Sequence, residues 1–115
     1  MRRGDIFWAE LEPRSGSEQR GRRPAVVVSH PSFLASPAWM SIIVVPLSTS
    51  TVQAHRGPTV VLLQKGTAGL KSDSLALCHQ VTTLDRSKLV ERLGSLSPQA
   101  LAQVEQGLKA ALDLG

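Results

Sequence analysis

Apolar positions along this chain fall into short, β-branched runs separated by glycine and proline, and only the C-terminal end carries a helical period. Asp5 to Glu10 partly alternates, with Ile6 and Trp8 in phase, and predicts a first strand. A polar stretch over 12–22 predicts a loop. Pro24 then fixes the start of a second strand, Ala25 to Ser29, whose valines predict burial on both faces. His30-Pro31 ends it, because proline cannot donate to a ladder. Residues 31–39 predict a connection with one helical turn. Ile42 to Leu47 predicts a third strand, followed by a loop from Ser48 to Gly57-Pro58. Thr59 to Leu63 predicts a fourth strand, Gly66 to Gly69 a turn, and Asp73 to Cys78 a fifth strand that Gln80 to Leu84 continues past a kink. Asp85 to Leu89 predicts a short helical turn, and Glu91 to Leu93 a short returning strand. Ser97 is a good N-cap and Pro98 suits the first helical position. Leu101, Val104, Leu108 and Leu112 then recur at helical spacing, as a stripe expected to pack on the sheet.

Five or more short strands followed by one helix imply a small, strongly bent antiparallel sheet or barrel. The 115 residues fit one domain, 1–115, with a modest core. Mean hydropathy is −0.01, and no apolar run approaches the roughly 20 residues that cross a bilayer. The charged start, Met1-Arg2-Arg3-Gly4-Asp5, has no apolar stretch behind it, so no signal peptide is expected and the chain is placed in the cytoplasm.

Charge changes this picture. The formal net charge is +4, and Arg2, Arg3, Arg14, Arg20, Arg22 and Arg23 crowd the N-terminal part. An anionic partner is expected. That partner is a nucleic acid, a membrane surface or an acidic protein; two Trp, two Phe and no Tyr are too few for a base-stacking platform, so if RNA binds, contacts come mainly from backbone, arginine and short polar side chains. The stretch Gly16-Ser17-Glu18-Gln19-Arg20-Gly21-Arg22-Arg23-Pro24 offers hydrogen-bonding groups and planar, permanently charged forks suited to phosphate. Small hydroxyl residues after the third strand, Ser48-Thr49-Ser50, can also hold phosphate oxygens, although they equally serve as plain turn residues.

Other chemistries find little support. The single cysteine, Cys78, excludes an intramolecular disulfide and thiolate clusters. It is expected as a small core residue; on a strand, the adjacent His79 would point to the opposite face. His30, His55 and His79 lie far apart with no acidic cluster, so no metal is expected. Phosphate-binding glycine loops and a hydrolase nucleophile elbow are missing, and no cofactor is expected.

The chain resembles the MazF/PemK-type toxins, the mRNA interferases of bacterial toxin–antitoxin pairs. The resemblance rests on Arg3-Gly4-Asp5-Ile6-Phe7-Trp8, Leu11-Glu12-Pro13, Gly16-Ser17-Glu18-Gln19 and Arg22-Arg23-Pro24-Ala25-Val26-Val27-Val28-Ser29. It continues in Ile43-Val44-Val45-Pro46-Leu47-Ser48, Leu70-Lys71-Ser72-Asp73-Ser74, Gln80-Val81-Thr82-Thr83-Leu84-Asp85 and Leu93-Gly94-Ser95-Leu96-Ser97. It implies an SH3-like barrel, mainly β with a C-terminal helix and shared with the CcdB toxins. It also implies a sequence-specific, metal-independent endoribonuclease that cuts single-stranded RNA by 2′-hydroxyl attack, leaving a 2′,3′-cyclic phosphate and a 5′-hydroxyl. The family's catalytic arginine falls on Arg23. Its hydroxyl residue falls on Ser48, a serine where the family usually has threonine, with Thr49 as the rival. An acidic residue often precedes the glutamine that matches Gln80; here His79 stands there, so the general base is His79 or Glu18. RNA contacts are expected from Arg3, Arg14, Ser17, Gln19, Arg20, Arg22, Ser50 and Gln80. The implied partners are an acidic antitoxin and a second copy of the chain, with no membrane. A gyrase-inhibiting toxin of the CcdB kind, or a basic nucleic-acid-binding module without activity, are the other readings; neither needs Arg23 together with a hydroxyl.

Overall fold

The computed structural model describes residues 1–12, 16, 18, 21–50 and 57–115. Its strands are β1 (Asp5–Glu10), β2 (Arg22–Val27), β3 (Ser41–Ser48), β4 (Val60–Leu63), β5 (Ser74–Leu77), β6 (Thr82–Asp85) and β7 (Leu89–Ser95). A short helix α1 (Pro31–Leu34) joins β2 to β3, and α2 (Pro98–Leu112) follows β7. All described pairings are antiparallel, in the order β4-β5-β3-β2-β1-β7, with β6 also on β3. The fold is mainly β with a C-terminal helix, as expected, and the described strands do not close into a ring.

β3 bends the sheet. Its N-terminal half pairs with β6, Ile42 opposite Leu84, while Leu47 and Ser48 at its other end pair with Ala76 and Leu75 of β5. The kink expected between Cys78 and Gln80 is a single 3-10 turn that lets one segment serve both halves of β3.

The expected double burial of the valine strand holds. Val26 and Val28 face one apolar cluster with Ile6, Val45, Leu47 and Val104, whereas Ala25 and Val27 face a second with Ala9, Ile42, Val44 and Leu34. Alternation in three neighbouring strands thus feeds two cores, one under α2 and one under α1.

β2 begins earlier than the sequence predicts. Arg22, Arg23 and Pro24 belong to it, with Trp8 opposite Pro24 and Ala9 opposite Arg23. Proline is tolerated because the β2–β3 ladder stops at Ala25 and Pro46, so at Pro24 the strand is paired with β1 alone.

α2 starts as predicted, with the Ser97 hydroxyl accepting from the Ala100 N–H at 3.1 Å and Pro98 in the first turn. Val104 is fully buried, and Leu101 and Leu108 are half-buried. Leu112 is 53% exposed, so the apolar stripe runs one turn beyond the core it covers. Gly107 makes a close approach the stripe does not reveal: a Cβ there would meet Cys78 Sγ at 2.6 Å and Val61 at 2.9 Å. Cys78 is a core residue, its thiol donating to the Val104 carbonyl at 3.6 Å. Burial pushes that thiol up to about 11, so little thiolate forms at neutral pH.

Candidate active site

Two strand ends define the site. Carried two residues beyond Ala25–Pro46, the β2–β3 register sets Arg23 level with Ser48. Residues opposite one another across an antiparallel pair share a face, so Arg23 and Ser48 lie on the same side of the sheet. Ser48 is 6% exposed and its Oγ accepts from the Ser50 N–H at 3.1 Å, which turns the chain at the strand end. Thr49 is exposed.

A cleft of about 450 Å³ opens beside these ends. Trp8, Arg22, Arg23 and Pro24 line it from β1 and β2; Thr49 lines it from the end of β3. The facing wall is the turn from Gly69 to Ser74, with Glu91 and Leu93 of β7. That turn is pinned to β7: Gly69 has φ +80°, and a Cβ on it would meet the Leu93 carbonyl oxygen at 2.6 Å. Leu70 is buried behind it, leaving Lys71 and Ser72 exposed toward the opening. Ser74 is buried and its hydroxyl donates to the Ser72 carbonyl at 3.1 Å.

Arg22 lies over the Trp8 ring, its guanidinium carbon 5.6 Å from the centroid, and reaches Glu91 at 3.7 Å. Three adjacent strands supply these groups. Trp8 pairs with Glu91 across β1–β7 and with Pro24 across β1–β2, so Arg22 sits diagonally from Trp8 on the same face.

The remaining candidates are spread more widely. His79 occupies the turn between β5 and β6, exposed, with Nδ1 3.3 Å from Thr59 Oγ1; Gln80 follows in the same turn. That turn lies alongside Val45, three residues down β3 from Ser48, a separation of about 10 Å along the strand. Arg3 is at the far end of β1, where its Nε donates to the Val28 carbonyl at 3.1 Å and its guanidinium pairs with Glu105 of α2. Glu18 and Ser50 are exposed. Arg14, Ser17, Gln19 and Arg20 lie outside the described residues. Folding therefore brings Arg22, Arg23 and Thr49 to one cleft, with Ser48 level with Arg23 but outside the cleft lining, and leaves His79, Gln80 and Arg3 away from that strand end. It adds Trp8, Lys71 and Ser72, which sequence reasoning did not single out; each lies within a stretch that carries the family resemblance.

At the far end of β1, Asp5 anchors the start of the strand. It is 2% exposed and accepts from the Arg2 N–H at 2.9 Å and from the Ser95 hydroxyl, with Arg92 at 3.5 Å. Burial pushes its pKa up, but the Ser95 and Arg2 hydrogen bonds and Arg92 outweigh that and hold it below the usual carboxylate value.

A bent antiparallel sheet, one terminal helix and a basic cleft at the strand ends define a small, mainly β protein whose open sheet is compatible with a barrel-like fold. Comparison with known proteins sharpens this. Residues 2–112 match the model of the PemK-like, MazF-like toxins of type II toxin–antitoxin systems. The chain is 37% identical over 117 residues to the endoribonuclease MazF9 of Mycobacterium tuberculosis, covering 99% of this chain and 98% of that protein. The crystal structure of MazF from Deinococcus radiodurans superposes with a TM-score of 0.80 at 25% identity, covering 99% of this chain and 97% of that one. A MazE–MazF complex from the same organism gives 0.73 at 26% identity, covering 100% and 97%. The chain belongs to the PemK/MazF-like toxin family.

Proposed function

We propose that this chain is an endoribonuclease toxin that cuts single-stranded RNA by attack of a 2′-hydroxyl on the adjacent phosphorus, giving a 2′,3′-cyclic phosphate and a 5′-hydroxyl. The observation that carries the reading is Arg23, held in β2 level with Ser48 and beside Thr49, in a chain 37% identical to an endoribonuclease. The reaction asks for three things: a base to take the 2′ proton, charge to meet the phosphate oxygens as they gain electron density, and a proton for the leaving 5′ oxygen. Arg23 supplies the charge as a planar fork and donates toward the leaving oxygen. Ser48 or Thr49 hydrogen-bonds a phosphate oxygen. Ser48 Oγ already accepts from Ser50, which leaves its O–H free to donate; Thr49 is the more exposed. His79 or Glu18 takes the 2′ proton. Comparing Ser48→Ala with Thr49→Ala, and His79→Gln with Glu18→Gln, assigns both roles: the larger loss of cleavage in each pair marks the participant.

Regulation follows from the same site. A complex of MazF with MazE is known from Deinococcus radiodurans, and an acidic antitoxin covering the arginine-rich strand ends would silence this chain in the same cytoplasm. The protein works as a homodimer with RNA in a groove near the two-fold axis; exposed Leu62, Leu112 and Leu114 support burial of further surface. Sedimentation at micromolar concentration showing only a 12.3 kDa species contradicts the dimer.

The deciding experiment incubates pure protein with single-stranded RNA in EDTA and analyses the ends. Cleavage to cyclic phosphate and 5′-hydroxyl ends is expected. Activity that EDTA abolishes and magnesium restores contradicts the mechanism, and no cleavage of any RNA contradicts the enzyme.

A further inference from the structure

Resting on the ribonuclease reading, we infer that the cleft beside Arg23 is a nucleobase pocket, in which Arg22 stacks on a base next to the cut and the Ser72 edge reads it. Arg22 is held from two sides. Trp8 backs its guanidinium at 5.6 Å and Glu91 tethers it at 3.7 Å. A guanidinium backed by a ring on one side and tethered by a carboxylate can offer its other side to a ligand. Bases in single-stranded RNA stack on arginine planes as well as on aromatic rings. Arg22 is about half exposed, so that face is reachable.

The cleft has the composition a base requires. Its volume of about 450 Å³ falls in the range of small-ligand sites. Pro24, Leu70 and Leu93 supply apolar contact. Thr49, Lys71 and Ser72 add hydroxyl and ammonium groups that can meet the polar edge of a base. Arg22, Arg23 and Lys71 against Glu91 leave the lining positive, which suits a nucleotide and its phosphate. Arg23 and Thr49 belong both to this cleft and to the strand ends that hold the scissile phosphate. The base in the pocket is therefore an immediate neighbour of the cut, and Trp8 acts as a positioning residue for Arg22 rather than a catalytic one.

The test is an abasic scan of a short RNA containing a preferred cleavage site, with kcat/KM measured for each oligonucleotide. In the wild-type protein, one abasic position within two nucleotides of the cut is expected to cost tenfold or more. Arg22→Ala and Ser72→Ala are expected to cleave the intact RNA more slowly and to make that same position nearly silent, within twofold. Both side chains are exposed, so the variants keep the fold; Trp8→Leu, where Trp8 is partly buried, adds a check by melting and by the same loss of base dependence. If Arg22→Ala slows every oligonucleotide equally and retains the full abasic penalty, Arg22 contacts phosphate only and the pocket is overturned. If wild type shows no position-dependent penalty, the pocket is overturned while the ribonuclease stands. If wild type cleaves no RNA, both fall.

Discussion

Beneath α2 at Val104 and Gly107 the molecule is tightly packed, whereas at the ends of β1, β2 and β3 it is open and charged. Val104 is fully buried and a methyl added at Gly107 would collide with Cys78 and Val61. Around the cleft, Arg22 and Glu91 are about half exposed, and Thr49, Lys71 and Ser72 are exposed. At Gly107 the first region has no room for a side chain and carries stability; the second is open and carries charge. Substitutions should separate accordingly, with loss of fold in one place and loss of chemistry in the other.

The strongest way to break the contrast is at Gly107. In an exposed helix, glycine to alanine stabilises by about 1 kcal/mol. Here the Cβ contacts reverse the sign: Gly107→Val is expected to destabilise by about 3 kcal/mol and Gly107→Ala by about 1–2 kcal/mol, read by denaturant unfolding. A stabilised Gly107→Ala would show that the helix rides higher on the sheet than this packing requires.

Asp5 tests whether a buried charge can also belong to the tightly packed region. Asp5→Ala leaves the Arg2 N–H, the Ser95 hydroxyl and Arg92 short of an acceptor and is expected to cost about 2 kcal/mol. The pH dependence has a definite sign. Because the folded pKa lies below the ordinary value of 3.8, this contribution is fully present above that value and is lost as pH falls through the folded pKa. Acid unfolding of Asp5→Asn should be correspondingly shallower; an unchanged acid transition would remove Asp5 from the account.

The smallest effect is expected at the Arg3–Glu105 pair, which ties the start of β1 to α2 through partly exposed side chains. Glu105→Gln should cost about 0.5 kcal/mol and lose that difference in high salt. A cost above 2 kcal/mol would make this corner part of the tightly packed region.

The two regions were also unequally legible. Valines at 26–28, the alternation around Ile6 and the Ser97-Pro98 start announce strands and helix because burial imposes a period on neighbouring residues. Gly107 leaves no such trace, since its constraint comes from Cys78 and Val61, remote in sequence. Pro24 reads as a boundary because proline ordinarily ends a ladder; pairing on one side only lets the strand begin three residues sooner and places both arginines on it. Leu112 reads as core because its helical phase is right, but the sheet ends before it. At the site, Arg23 and the Ser48-Thr49 hydroxyls follow from what phosphate chemistry needs and from the family pattern. Trp8, Lys71 and Ser72 join them only because the 69–74 turn packs against β7 beside β1, which no local pattern encodes.

The central claim is that Arg23 serves chemistry and not the fold, and the Arg23→Ala variant tests it when cleavage and melting are measured on one preparation. Losing one charge contact to a transition state commonly costs about a hundredfold or more in rate. The account predicts a loss of that size with an unchanged melting temperature, and little recovery in Arg23→Lys, which lacks the planar fork. A folded Arg23→Ala protein that cleaves RNA at a near wild-type rate would contradict it.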